Sequence, residues 1–231
     1  MLIRCILLNL LLLSLNVKAV SGIEARPLFD GLTLQGWEKK GGNATFNVVD
    51  GVIVGQSAPN TENSFLCTKK SYGDFILEFE FQCDNKLNSG VQIRSNCYDQ
   101  DTTLKIRGRQ KNFPAGRVHG YQIEIDPNKP QRLWIGGIYD EARRGWLYPG
   151  IAGGDGDKFT KQGIKFYQPE QWNSIHVECQ GDRVRTWLNG QLRADFRDDL
   201  TTSGFIALQV HGVGSRTEPL TVRWRNLTIQ E

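Results

Sequence analysis

Three strand-like segments each carry a glutamine followed, two positions later, by an ionisable side chain. The pairs are Gln92 and Arg94, Gln122 and Glu124, and Gln209 and His211. Side chains two positions apart lie on the same face of a strand. A carboxylate and an imidazole can move protons, and a guanidinium can stabilise developing negative charge. If the three strands are neighbours in one sheet, we expect Arg94, Glu124 and His211 to meet on its solvated face as a catalytic group.

The polar face of these strands also has a simpler explanation. An antiparallel sheet with one face in water shows alternating polar residues for no functional reason. The polar phase of one strand contains Gln122, Glu124 and Asp126. We predict that Gln122, Asp126 and Gln209 line a binding site, and the solvated sheet face is the alternative.

A second group of candidate functional residues lies in the segment GGIYDEARRGW, residues 136–146. A plain surface loop needs turn formers and solvated charge, but it does not need two aromatic residues around a dense set of charges. The segment holds Tyr139, Asp140, Arg143, Arg144 and Trp146. It is predicted to hold a ligand, and packing of the loop onto the edge of a sheet is the equal alternative.

The elements that must position these residues are strands. From about residue 44 the apolar residues alternate, as in DFILEFEFQC, and Asp50-Gly51 and Asn189-Gly190 are typical hairpin turns. No window longer than about ten residues has a sustained helical period. The pattern predicts a single all-β domain over residues 24–231, an antiparallel sandwich or barrel. Residues 97–118 and 139–170 are predicted to be long irregular loops, and long loops are often functional.

The first nineteen residues have the pattern of a secretory signal. Arg4 precedes an apolar run from Ile6 to Leu15, and Ala19 is a small residue at a suitable cleavage position. The run is shorter than the ~20 apolar residues that a membrane helix needs. We therefore predict an exported protein, periplasmic or extracellular, with no membrane association after cleavage.

Charge and cysteine content restrict the function classes further. The net charge is +3 and the basic residues are mixed with acids, which argues against a nucleic-acid partner. Cys67, Cys83, Cys97 and Cys179 allow up to two disulfides in three pairings, with burial as small core residues the alternative. The sequence requires no cofactor and shows no zinc spacing. It leaves open a bound divalent cation, as it leaves open the oligomeric state.

Several segments in series resemble one protein family. They are LFDGLTLQGWE, NSGVQIRS, HGYQIEID with GGIYDEARRGWLYP, QWNSIHVECQGDRVRTWLNG, and GFIALQVHG with VRWRNLTI. Together they are similar to the 3-keto-disaccharide hydrolase, or 3-keto-glycoside lyase/hydratase, family, formerly domain of unknown function 1080. The resemblance implies a concanavalin A-like jelly-roll sandwich of two antiparallel sheets, with a carbohydrate groove on the concave sheet.

The resemblance also implies a chemistry. A ketone at C3 of a sugar acidifies the hydrogen on C2, so that a base removes it and the C1 substituent leaves by β-elimination, with or without later hydration. Glu124 or His211 would be the base and Arg94 would stabilise the enolate. Asp126, Tyr139 and Asp140 would line the site or hold a metal or water. Tyr139 and Trp146 would face a pyranose ring, and Arg143 and Arg144 would reach its hydroxyls.

A function without turnover is the alternative. Jelly rolls serve as carbohydrate-binding modules as readily as enzymes, because a fold does not decide function. A binding site works with amides, carboxylates and an aromatic face, whereas a convergent glutamate, histidine and arginine exceed what binding requires. The sequence does not specify the anomer, linkage or aglycone.

Overall fold

Alternating apolar residues build two antiparallel sheets whose inner faces form the core. The structure is a computed structural model, and it describes residues 24–231. Sheet A has the strand order β15-β14-β13-β6-β17-β4-β3, and β1 also pairs with β17. Its strands are β1 (Arg26–Pro27), β3 (Thr45–Val49), β4 (Val52–Gln56), β6 (Phe75–Cys83), β13 (Asn173–Gln180), β14 (Arg183–Leu188), β15 (Gln191–Arg197) and β17 (Thr221–Gln230).

Sheet B has the strand order β12-β11-β10-β7-β16-β5-β2. Its strands are β2 (Trp37–Gly41), β5 (Ser64–Tyr72), β7 (Ser89–Cys97), β10 (Val118–Ile125), β11 (Ile138–Glu141), β12 (Gly145–Tyr148) and β16 (Gly204–Val210). A separate hairpin is formed by β8 (Thr102–Ile106) and β9 (Arg109–Phe113). The predicted all-β sandwich of two antiparallel sheets is confirmed.

The core lies between the sheets and follows the predicted phases. On β6, Phe75, Leu77 and Phe79 are buried in it; on β10, Tyr121 and Ile123 point into it from the other sheet. The Asp50-Gly51 turn joins β3 to β4 with φ values of 50° and 77°, the left-handed pair that a tight two-residue hairpin turn requires. A second, small apolar cluster contains Phe65, Cys67, Val118 and Ala207.

The two segments predicted to be irregular contain regular structure. Residues 97–118 hold the β8–β9 hairpin, and residues 139–170 hold most of the β11–β12 hairpin and the helix α1 (Gly156–Phe166). Asp155 caps this helix by accepting a hydrogen bond from the Lys158 amide, and Phe159 is buried beneath it. The helix escaped the periodicity argument because it is only eleven residues long and few of them are apolar.

The four cysteines of the described chain are free thiols. Cys83 and Cys179 lie in the main core, as the alternative to disulfide bonds anticipated. Burial raises the pKa of the Cys179 thiol to about 12 and that of Cys83 well above its usual value, so both stay protonated at neutral pH.

The proposed secretory signal, residues 1–19, lies outside the described residues. Within residues 24–231, no helix has the length and apolar character needed to cross a membrane.

Candidate active site

Three glutamines join the central strands of sheet B. Strands β10, β7 and β16 are adjacent, as the site hypothesis required. Gln92 and Gln209 each donate from Nε2 to Oε1 of Gln122 at 2.7 Å. With its carbonyl oxygen occupied twice, Gln122 turns its amide nitrogen toward Glu124, where Nε2 donates to Oε2 at 3.0 Å. The three strands therefore cooperate to orient one hydrogen-bond donor at one carboxylate.

Glu124 is held in a buried polar environment at the end of β10. Its residue is 3% exposed, and its second oxygen accepts a hydrogen bond from Asn88 Nδ2 at 2.8 Å. Burial and the nearby charge of Asp126 raise the pKa of Glu124 to about 7, although the two amide donors and Lys129 oppose the shift. A carboxylate with this pKa is a far better base near neutral pH than an exposed one.

Gly90 makes room for this arrangement. Gly90 lies on β7, directly opposite Glu124 of β10 on one side and Gln209 of β16 on the other. A Cβ at position 90 would lie 2.6 Å from side-chain carbons of Gln122. Only a residue without a side chain leaves the Gln122 amide free to lie beside Glu124.

A cavity of about 540 Å³ opens above the glutamate. It brings together five of the predicted site residues: Gln122, Glu124, Tyr139, Trp146 and His211. Its remaining lining residues are Asn63, Asn88, Arg117, Lys129, Arg132, Glu141 and Gly145. The volume lies in the range typical of small-molecule sites.

Aromatic rings form one wall of the cavity. Trp146 packs edge to face against Tyr139 at 5.3 Å and against Trp134 at 4.6 Å between ring centroids. The Arg132 guanidinium lies 5.1 Å from the centroids of both tryptophan rings. Arg132 has no carboxylate partner within residues 24–231, so its donors are available to a ligand.

Ionisable groups also line the cavity around His211. His211 is exposed, and its Nδ1 donates to the Gly212 carbonyl at 2.8 Å, which leaves Nε2 available. Glu141 accepts from Arg117 at 2.7 Å. Burial raises the pKa of Glu141, although the positive charge of Arg117 and, to a smaller extent, His211 acts to lower it. The glutamate and the histidine are therefore close enough to interact electrostatically.

Arg94 does not lie in this cavity, contrary to the expectation. An extra residue in β7 forms a bulge against both neighbours, and Arg94 adopts a φ of 45° there. The bulge interrupts the two-residue period and turns the guanidinium away, onto the carbonyl oxygens of Gly73 and Gly181 and the carboxylate of Asp74. Ser95 takes the expected position and donates to Gln92 Oε1 at 2.9 Å.

Three charged residues of the 136–146 segment, Asp140, Arg143 and Arg144, also lie outside this cavity. Asp140 is fully buried and accepts from Arg143 Nε and Arg144 Nε, and Arg144 continues to Asp198 at 2.8 Å. Arg143 and Arg144 line a different cavity from Tyr139 and Trp146. The structure therefore does not bring Asp140, Arg143 and Arg144 together with the aromatics, contrary to the prediction. Asp140 follows Tyr139 on β11 and so points to the opposite face of the strand, and Arg143 and Arg144 lie in the turn before β12.

The two remaining predicted residues, Asp126 and Gln209, are buried and do not line the cavity. Asp126 is buried, forms an ion pair with Lys129 at 3.2 Å and raises the pKa of Glu124 by its charge. Gln209 is fully buried and contacts Gln122 rather than the cavity.

Sequence reasoning missed Asn88, Arg117 and Arg132 because all three lie outside the recognised strands. Asn88 directly precedes β7 and Arg117 directly precedes β10. Polar residues that flank a strand carrying a candidate site residue are the signal that could have identified these two residues. Arg132 ends the short 3-10 helix Pro130–Arg132 and has no comparable signal.

No set of three or more histidine, cysteine, aspartate or glutamate residues within 24–231 is arranged to hold a metal ion. Among the loop carboxylates, Asp155 caps α1 by accepting from the Lys158 amide.

Comparison with protein families identifies one match over nearly the whole described chain. The family model described as the 3-keto-alpha-glucoside-1,2-lyase-like domain matches residues 24–230. No curated protein matches the chain.

Solved structures share the fold at low sequence identity. The carbohydrate-binding module CBM66 from Bacillus subtilis has a TM-score of 0.50 and 13% identity, covering 85% of this chain and 96% of its own. A protein from Parabacteroides distasonis ATCC 8503 with the provisional name of a glycosyl hydrolase has a TM-score of 0.52 and 18% identity, with coverages of 89% and 93%. A Bacillus subtilis protein of unknown function with a galectin-like fold has a TM-score of 0.57 and 12% identity, with coverages of 90% and 94%.

Proposed function

The chain belongs to the 3-keto-alpha-glucoside-1,2-lyase-like family, and from this premise we propose that it cleaves 3-keto-glycosides with Glu124 as the base. The observation on which the proposal rests is the buried glutamate, oriented by Asn88 and Gln122, at the cavity lined by Tyr139 and Trp146. Family membership ties the protein to carbohydrate chemistry, and the site geometry supports the choice of base.

The reaction begins at C2 of the sugar. The C3 ketone acidifies the C2 hydrogen, Glu124 takes this proton, and the C–H electron pair forms the enolate of C2 and C3. Arg132, rather than Arg94, stabilises the charge on the enolate oxygen, since it lines the cavity with unpaired donors. A positioned base contributes ~10²–10⁴-fold to such a step.

Departure of the C1 substituent completes the elimination. The enolate pair forms the C1–C2 double bond as the C1–O bond breaks, and the leaving oxygen receives a proton. His211 lines the same cavity with Nε2 unpaired, and in its imidazolium form it supplies this proton from Nε2 and is left as the neutral imidazole. Addition of water to the unsaturated product gives net hydrolysis.

The cavity continues into a space for the leaving group. A neighbouring cavity of about 520 Å³ shares Asn63 and Arg117 with the one above Glu124. The C1 substituent occupies this second space, and the ketone-bearing ring lies against Tyr139 and Trp146. The protein acts after export, as the pattern of residues 1–19 suggests.

A carbohydrate-binding module without turnover is the second candidate. The aromatic wall of Trp146 and Tyr139 favours it, because flat rings bind sugar faces without any need for a base.

One experiment separates the two candidates. The protein is incubated with a 3-keto-glucoside and with its unoxidised parent, and free aglycone and bound sugar are both measured. We expect aglycone release from the ketone alone, and a loss of at least 100-fold in Glu124→Gln. Tight binding of either sugar with no release would instead establish the binding module.

A further inference from the structure

A further cavity, of about 700 Å³ and separate from the two described above, lies on the other side of the β11–β12 hairpin. It shares no lining residue with the cavity above Glu124. The β8–β9 hairpin, the β11–β12 hairpin and the end of β15 enclose it. Its lining includes six cations and one carboxylate, namely Arg107, Arg109, Lys111, Arg143, Arg144, Arg197 and Asp198.

Acidic neighbours neutralise only part of this positive charge. Asp140 and Asp198 pair with Arg144, Asp199 pairs with Arg107, and Asp182 pairs with Arg197. Six cations thus face four carboxylates. Within residues 24–231, Arg109 and Lys111 have no carboxylate partner. The wall formed by the β8–β9 hairpin therefore keeps two cations available.

The opposite wall contains a buried guanidinium, that of Arg143. The side chain of Arg143 is 2% exposed and lies over the Tyr121 ring, 4.8 Å from its centroid. Its Nη2 lies 2.6 Å from Asp140 Oδ1, but that oxygen already accepts from Nε, and no described acceptor is aligned with the Nη2 hydrogens. The Arg143 guanidinium is thus held by Asp140 and places a fixed positive charge at this wall of the cavity.

The rest of the lining is apolar. Ile106, Leu147 and Ala152 contribute to it, and Ile151 is a large apolar side chain that is 70% exposed. The volume lies in the range of small-molecule sites and far exceeds the ~30 Å³ that a single water occupies, so a lone inorganic anion would not fill it. An anionic group on a larger body with C–H faces fits both parts of the lining.

We propose that this cavity binds the carboxylate or sulfate group of an acidic glycan, with Arg109, Lys111 and Arg143 as its ligands. Guanidinium groups match both anions with paired hydrogen bonds. The choice of a glycan as the source of the anion rests on the proposed function, because the sugar-cleaving site lies across the same hairpin. Nucleic acid fits less well, since no aromatic residue lines the cavity to stack on a base.

Binding to matched ligands tests the proposal. Tetragalacturonate and its neutral methyl ester have the same backbone and differ in charge, and a sulfated heparin tetrasaccharide represents the sulfate form. Titration calorimetry at low ionic strength measures their affinity for the unaltered protein. We expect the two acidic ligands to bind and the ester not to bind. Equal binding of the ester, or tighter binding of single-stranded DNA than of either glycan, would overturn the proposal.

A pair of double variants with the same change of net charge locates the site. Arg109 and Lys111 are replaced by alanine in one variant, and the exposed Lys165 and Arg216 in the other. We expect the first variant to lose at least tenfold in affinity for the acidic ligands and the second to change less than twofold. Equal losses would show an effect of overall charge and contradict the site.

Turnover of a 3-keto-glucoside by the same variants keeps this inference separate from the proposed function. Since Arg109 and Lys111 line only the basic cavity, turnover is expected to be unchanged in their double variant. Turnover without acidic-glycan binding refutes the inference alone. Acidic-glycan binding without turnover supports the inference and refutes only the enzymatic proposal.

Discussion

Glu124 combines the two properties that a catalytic base in this site needs. Its carboxylate is buried, which raises its pKa to about 7, and both oxygens are oriented by amide donors. Its position on the polar phase of β10 was predictable from alternation. Its environment was not, because Asn88 and the three-glutamine contact come from different strands and depend on register.

The raised pKa makes Glu124 a source of instability at alkaline pH. Its pKa is about 7 in the folded chain against an ordinary 4.5, so the unfolded state loses its proton first as the pH rises from 4.5. The folded state is therefore destabilised by about 3 kcal/mol between pH 4 and pH 8. Glu124→Gln has no charge to bury, and we expect its free energy of unfolding, relative to the parent, to increase by this amount over that interval.

Urea denaturation of both proteins at pH 4 and pH 8 measures this difference. Gln92→Ala serves as the control. It removes a hydrogen bond to Gln122 but keeps the Glu124 carboxylate, and its unfolding free energy should keep the parent's pH dependence. If the difference in unfolding free energy between Glu124→Gln and the parent stays constant with pH, the carboxylate is not desolvated.

At the scale of elements, one inserted residue decides which side chains reach the site. The sequence NSGVQIRS alternates regularly and places Arg94 on the phase of Gln92. The bulge in β7 breaks that phase, and Ser95 takes the position beside Gln92. A bulge depends on the register of both neighbouring strands, so the sequence of β7 alone could not reveal it.

The structural role of Arg94 gives a prediction. Its side chain is fully buried and donates to two loop carbonyl oxygens and to Asp74, whose own side chain is 64% exposed. Arg94→Ala leaves the carbonyl oxygens of Gly73 and Gly181 without this donor and opens a cavity. We expect a loss of about 2–4 kcal/mol in unfolding free energy by chemical denaturation. Turnover of a 3-keto-glucoside per folded molecule should change by no more than a few fold.

Arg94→Lys keeps the charge but not the planar set of donors, and it should lie between the parent and the alanine variant in stability. If Arg94→Ala keeps the parent's stability but loses turnover a hundredfold, Arg94 acts in the active site and the structural role is contradicted.

At the scale of the whole molecule, alternation predicted an antiparallel sandwich or barrel, and the family resemblance implied the sandwich, but neither predicted which way the loop side chains face. The phases of β6, β10 and β16, and the Asp50-Gly51 turn, were visible in the sequence. The 136–146 segment was predicted to hold a ligand, with packing onto a sheet edge as the alternative, and its aromatics and its arginines face two different cavities. That division follows from the pairing of β11 with β12, which becomes visible only when the hairpin is assembled.

The account as a whole depends on proton removal by Glu124 at the cavity in sheet B. The most direct test follows a 3-keto-glucoside in heavy water and measures deuterium at C2 of the recovered substrate and product by mass spectrometry and NMR. We predict that the parent protein exchanges this hydrogen and that Glu124→Gln does not, although it still binds the sugar. Exchange at the parental rate in Glu124→Gln would show that another group moves the proton and would contradict the assignment.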